Sequence, residues 1–163
     1  MPPENEIEKY ATWFRDFILS KRATKESTVD LIVARQDLYR IDNEFIQGHD
    51  SSYLWRFHPS AVVVEVDRRK GSQRFHVLLA VSNAIALKDV GELNCYVRIM
   101  NAASGCLVSP KGVSNEVRLL QANASIRNRL FITENHGSIF LVEWDQTLNT
   151  IMPESVIPIE TQL

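Results

Sequence analysis

Two nearly continuous apolar runs, Val62-Val63-Val64 and Val77-Leu78-Leu79, bracket a charged turn containing Arg68, Arg69, Lys70 and Gly71. This pairing restricts the fold more than any other feature. β-Branched runs without polar alternation suit strands covered on both faces. The expected elements are a strand over 61–67, a tight turn over 68–72 and a strand over 74–81. Strands of that kind need helices on both sides of a mixed sheet. Residues 87–101 supply one, with Leu87, Val90, Leu93, Val97 and Met100 on a single stripe. Asp89 falls in its first turn, where a negative charge suits the helix dipole. Gly91 weakens the same helix by about 1 kcal/mol relative to Ala. Residues 105–109 follow as another strand.

Ahead of this core, residues 4–21 place Ile7, Tyr10, Ala11, Phe14, Phe17 and Ile18 at helical spacing, with Glu4 and Glu6 in the first turn and Lys21 at the end. A second helix is expected over 24–48, from the cap residues Thr24 and Ser27 and the series Leu31, Ala34, Leu38, Ile41 and Phe45; residues 38–46 could run extended instead. Residues 48–52 read as a polar loop. Beyond the core, Ser114 suits the cap of a short helix carrying Val117 and Leu120. Residues 130–133 and 138–144 are expected to form a hairpin about Glu134-Asn135-His136-Gly137. The tail from Asp145, with Pro153 and Pro158, is expected to be an extended strap.

A chain of 163 residues fits one domain, divided here into a helical region (1–48), an α/β core (54–144) and a tail (145–163). No apolar run approaches the roughly 18 residues that a membrane span needs. The segment Met1-Pro2-Pro3-Glu4-Asn5-Glu6 is acidic and polar where a secretory signal would be basic and then apolar, so a cytoplasmic location is expected. Cys95 and Cys106 lack zinc-site spacing and read as small buried residues. The net charge of -2 gives no global attraction to nucleic acid, so any such binding needs a local patch.

The pieces His58-Pro59-Ser60-Ala61-Val62-Val63-Val64, Leu78-Leu79-Ala80-Val81-Ser82-Asn83 and Ala86-Leu87-Lys88-Asp89-Val90-Gly91-Glu92-Leu93, set in the order helix, hairpin, helix, strand, resemble the PD-(D/E)XK nuclease superfamily. This is the restriction-endonuclease-like fold that includes archaeal Holliday-junction resolvases. The resemblance covers about residues 54–144. It implies an α/β fold with a mixed sheet flanked by helices, Mg²⁺- or Mn²⁺-dependent DNA cleavage in active members, and frequent pairing as homodimers. Active members carry Pro-Asp before the first strand and an acidic residue, one apolar residue and lysine at the end of the second. Carboxylates are needed there because these hard cations take oxygen ligands, and the metal activates water and stabilises charge on phosphate. In this chain the three positions become Ser60, Ala80 and Ser82, so the motif is degenerate.

Two further groupings come from the residues themselves. Glu65 and Asp67 share a strand face. With a two-residue turn at Gly71-Ser72, Lys70 would pair with Gln73 and Asp67 would lie opposite His76. Glu65, Asp67 and His76 could then ligate a cation, with Lys70 or Arg69 adding positive charge; an exposed hairpin end explains the same residues. Arg68, Arg69, Lys70 and Arg74, with Arg56, form the densest basic cluster and could contact phosphate; a solvated turn explains them equally. His58 near Trp55 reads as a packed or exposed histidine, and no phosphate loop or nucleophile elbow is present. The expected function is a catalytically vestigial nuclease-fold protein that binds DNA or a protein partner, with no cofactor. The alternatives are an active Mg²⁺- or Mn²⁺-dependent nuclease using Glu65, Asp67, Lys70 and Glu44, and an interaction subunit without nucleic-acid binding.

Overall fold

A helix, a three-stranded meander, a second helix and a parallel strand follow one another along this chain. They belong to a computed structural model that describes residues 1–21, 26–132 and 138–157. Helix α1 (Glu4–Lys21) leads into β1 (Ser27–Val33), β2 (Ala61–Asp67) and β3 (Gln73–Ala80); α3 (Leu87–Met100) leads to β4 (Ser104–Ser109). Between β1 and β2 lies the short helix α2 (Glu44–Gln47). Helices α4 (Asn115–Ala122) and α5 (Ala124–Phe131) then lead to β5 (Ser138–Asp145) and β6 (Thr150–Ile151). The strands form one six-stranded mixed sheet in sequence order. β1, β2 and β3 pair antiparallel, β3–β4 and β4–β5 pair parallel, and β6 pairs antiparallel with β5.

The apolar runs of β2 and β3 are buried on both faces, as their composition requires. One face presents Ala61, Val63, Leu78, Ala80, Cys106 and Phe140 to the Phe14 and Ile18 stripe of α1. The other presents Val62, Val64, Val77, Leu79, Leu107 and Leu141 to Val90, Leu93 and Val97 of α3 and to Phe131 of α5. Gly105 lets α3 approach β4 closely: a Cβ there would lie 2.7 Å from Val97 Cγ2 and 3.1 Å from Leu93 Cγ.

The helix expected over 24–48 is not formed. Residues 27–33 are β1, paired with β2 along all seven positions from Ser27↔Asp67 to Val33↔Ala61. Thr28, Val29, Ile32 and Val33 are β-branched and favour an extended chain. Val29, Leu31 and Val33 pack toward α1 while Ile32 joins the opposite core, a period of two that the helical series had masked. Further on, residues 38–40 make one 3₁₀ turn, and only 44–47 are α-helical, capped by Asn43 Oδ1 accepting from the Phe45 amide at 2.9 Å.

The hairpin expected over 130–144 is likewise replaced. Leu130 and Phe131 end α5, Ile132 makes a single antiparallel bridge to Ser138, and β5 runs parallel to β4. Asn123 caps α5 by accepting from the Ile126 amide, and Phe131 is buried in the core, so packing carries the helix into the first two residues of the predicted strand. The proposed turn at 134–137, with His136, lies outside the described residues. The tail does run along the sheet edge: β6 doubles back on β5, and Ile157 pairs with Leu141 after a 3₁₀ turn over Pro153–Ser155. Pro158 lies outside the described residues. No helix among the described residues is long and apolar enough to cross a membrane.

Candidate functional site

The β2–β3 pair carries polar groups at both ends, and they differ in kind. At the hairpin end Glu65 is buried, on the α1 face, opposite Arg74 in the strand register. Its Oε1 accepts from Arg74 Nη2 at 2.6 Å and its Oε2 lies 3.3 Å from His76 Nε2. A carboxylate can only accept, so Nε2 carries the shared hydrogen. His76 Nδ1 lies 2.7 Å from Ser104 Oγ, which parallel pairing of β3 with β4 sets opposite it. The hydrogen bond from His76, more than the Arg74 guanidinium, holds the Glu65 carboxyl below its ordinary value, against the opposing effect of burial. The order Ser104, His76, Glu65 suggests a nucleophile relay, yet Ser104 is 0% exposed and no substrate could reach its Oγ. The chain of contacts ties three strands together.

The expected pairing of Asp67 with His76 does not occur. The register places Glu65 opposite Arg74 and Val63 opposite His76, because the connection is longer than a two-residue turn. It closes through the Gly71 amide to the Asp67 carbonyl at 2.8 Å, with Gly71 at φ +64 where a side chain would be strained. Asp67 Oδ1 accepts from the amides of Arg69 and Lys70 at 2.9 and 3.2 Å, so its carboxylate is engaged in folding the turn. Glu65, Asp67 and Lys70 do line one cleft of about 300 Å³, together with Ser27, Ser72 and Arg74. His76 lies beneath Glu65. Among the described residues no three His, Cys, Asp or Glu side chains are grouped to hold a metal ion. Glu44 sits on α2, which packs through Ile46 on the sheet face opposite Glu65, so it does not join the cleft.

The basic cluster is split. Arg68, Arg69, Lys70 and Arg74 gather at the hairpin, where Arg69 pairs with Glu26 and Arg74 with Glu65. Arg56 precedes β2 and is separated from them by a seven-residue strand, about 23 Å long. Its guanidinium instead lies 5.2 Å from the centre of the Tyr39 ring, as does that of Arg40. Sequence reasoning missed Tyr39 and Arg40, because whether residues 38–46 were helical or extended, nothing local brought Arg56 to them.

At the opposite end, two of the three positions expected to correspond to the nuclease motif, Ser60 and Ala80, meet. Ser60 is buried, and its Oγ accepts from the Ala80 amide at 2.8 Å. Ser60 also donates its amide to the Leu78 carbonyl, and its own carbonyl accepts from the Ala34 amide. The Ala80 methyl packs in the α1-side core. Ser82 lies past the end of β3, half-buried, beside a polar bracket in which Ser109 Oγ donates to the Asn83 carbonyl at 2.7 Å and accepts from the Lys111 amide at 3.0 Å. Asp89 caps α3 by accepting from the Ala86 amide at 2.8 Å.

His58 and His49 both have structural partners. His58 Nε2 contacts the Ala34 carbonyl at 2.9 Å, and His49 packs on Trp55. Cys106 is buried, which pushes its thiol well up, whereas Cys95 is exposed on α3, contrary to expectation, because it falls outside the Val90, Leu93 and Val97 stripe. An open cleft of about 610 Å³ lies between α1 and the β5–β6 turn, walled by Trp13 and Trp144 with carboxylates and Lys9 around them. Its mixed lining selects no ligand class.

No protein-family model matches this chain, and no curated protein matches it either.

Proposed function

We propose that this protein is a catalytically vestigial nuclease-fold protein, similar to the PD-(D/E)XK superfamily, that acts as a binding or scaffolding module for DNA or a protein partner. One observation carries the reading: Ser60 and Ala80 meet through the 2.8 Å hydrogen bond at the place where that superfamily would converge two metal-binding carboxylates. The order of α1, the β1–β2–β3 meander, α3 and parallel β4 supports it. A methyl group offers a metal nothing, and the Ser60 hydroxyl is held by a backbone amide, so neither position offers the hard oxygen ligands that Mg²⁺ takes. In this reading the chain needs no cofactor, works in the cytoplasm, and pairs as a homodimer, as the resemblance implies. The test is a cleavage assay on single-stranded, duplex and branched DNA with Mg²⁺ or Mn²⁺, for which no cleavage is expected.

One observation favours a second reading, that of an active nuclease with relocated ligands: Glu65, Asp67 and Lys70 share a cleft. Both carboxylates already have partners there, the Arg74 and His76 side chains for one and two turn amides for the other. Metal-dependent cleavage abolished by Glu65→Ala/Asp67→Ala would select this reading.

A further inference from the structure

Segments 34–40 and 55–60 continue the β1–β2 ladder past the ends of both strands. The Ala34 amide donates to the Ser60 carbonyl, Leu38 to Phe57 and Tyr39 to Trp55, all at 3.0–3.1 Å. These bonds clamp two 3₁₀ turns, Leu38–Arg40 and Ser52–Leu54, side by side. Residues far apart in sequence therefore share one surface. Arg40 and Arg56 each place the guanidinium carbon 5.2 Å from the Tyr39 ring centre. Arg40 Nε donates to Tyr39 Oη at 2.7 Å, and Arg56 Nε to the Tyr53 carbonyl at 3.4 Å. Both arginines are exposed. Among the described residues neither lies within 4.0 Å of a carboxylate, whereas Arg15, Arg35, Arg69 and Arg74 all do. Tyr53 and Leu54 are 65% and 53% exposed on the adjoining turn, while Trp55 beneath them is fully buried and fixes the backbone.

Two guanidinium groups beside one aromatic ring, with their charge left uncancelled by an ion pair and an exposed tyrosine alongside, match the two needs of a nucleic-acid strand: positive charge for phosphate and a flat face for bases. A duplex hides its base faces, so the exposed ring of Tyr53 favours an unpaired strand. We propose that Tyr39, Arg40, Tyr53 and Arg56 form a stacking platform for single-stranded nucleic acid. This inference rests on the binding-module reading and gives it a ligand class. Asp37 in the first segment, and Asp42, Glu44 and Asp50 between the two segments, limit the attraction, so binding should be weak and its salt dependence shallow. Two phosphate contacts give a slope of log K against log salt of about -1.4.

The test is fluorescence anisotropy with labelled oligo(dT) and oligo(U) 20-mers at several salt concentrations, with a hairpin duplex as competitor and thermal melts to check folding. The expected result is single-strand binding that the duplex competes poorly. Arg40→Glu/Arg56→Glu should weaken it more than tenfold and Tyr53→Ala about fivefold or more, while Arg68→Glu/Lys70→Glu at the hairpin leaves it nearly unchanged. Binding that survives Arg40→Glu/Arg56→Glu in a folded protein overturns the platform and leaves the binding-module reading standing. So does loss of binding only in Arg68→Glu/Lys70→Glu. An absence of any nucleic-acid binding overturns the platform and leaves a protein partner as the module's ligand. Metal-dependent cleavage by a protein whose platform variants bind poorly supports the platform and overturns the vestigial reading.

Discussion

Ser60 Oγ accepts the hydrogen of the Ala80 amide at 2.8 Å, joining the residue before β2 to the last residue of β3 inside the core. The bond gives the serine a structural role where the proposed reading would expect a metal ligand. Ser60→Ala leaves a buried amide without its acceptor and is expected to cost about 1–3 kcal/mol. Urea denaturation measures it, and an unchanged midpoint would show that the amide finds another partner.

The Glu65 network makes stability depend on pH in a defined direction. The folded-state pKa of Glu65 is depressed below its ordinary 4.5, foremost by the His76 hydrogen bond. Its contribution is therefore fully present above the ordinary value and is lost as the pH falls through the lower folded value. Wild-type stability should decline from about pH 5 downward. Glu65→Gln should lack that part of the decline while being less stable at neutral pH by about 1–3 kcal/mol. Thermal melts across pH 3–7 read both effects, and parallel curves for the two proteins would count against the network.

Two glycines separate packing from propensity. At Gly91 an added Cβ meets nothing within 4 Å, so Gly91→Ala should stabilise α3 by about 0.5–1 kcal/mol. At Gly105 the added Cβ meets Val97 and Leu93 side chains at 2.7–3.2 Å, so Gly105→Ala should destabilise by about 1–3 kcal/mol. Equal shifts of Tm for the two variants would refute the close approach of α3 to β4.

Trp55 is fully buried against His49 and Phe75, and its Nε1 has no hydrogen-bond partner among the described residues. Trp55→Phe keeps the aromatic packing and removes the unpartnered donor, so its net cost should stay within about 1 kcal/mol. Trp55→Ala should cost about 3–5 kcal/mol. Denaturant midpoints of both variants compare the terms, and similar losses would mean that the indole nitrogen contributes to stability.

Where local pattern and burial agree, the sequence was a sufficient guide: α1 follows its apolar stripe, and β2, β3 and β4 follow their apolar runs. It failed where pairing decided the outcome. Leu31, Ala34, Leu38, Ile41 and Phe45 fit a helix, but Ser27–Val33 gains a full ladder against β2, which no local rule registers. Leu130 and Phe131 suit a strand or a helix, and core packing selects the helix. Glu65 and His76 were nominated from alternation, but their true relation needed the register of a turn longer than expected. Ser104 completes their network only through the parallel pairing that α3 makes possible. Tyr39 and Arg56 meet only because the ladder closes across the insert between β1 and β2.

The most direct measurement of the central claim is cleavage of single-stranded, duplex and branched DNA by pure, folded protein with Mg²⁺ or Mn²⁺, run beside Glu65→Ala/Asp67→Ala. The vestigial reading predicts no metal-dependent cleavage by either protein. Cleavage by the wild type that disappears in the double variant would contradict it and move the active centre to the Glu65, Asp67 and Lys70 cleft.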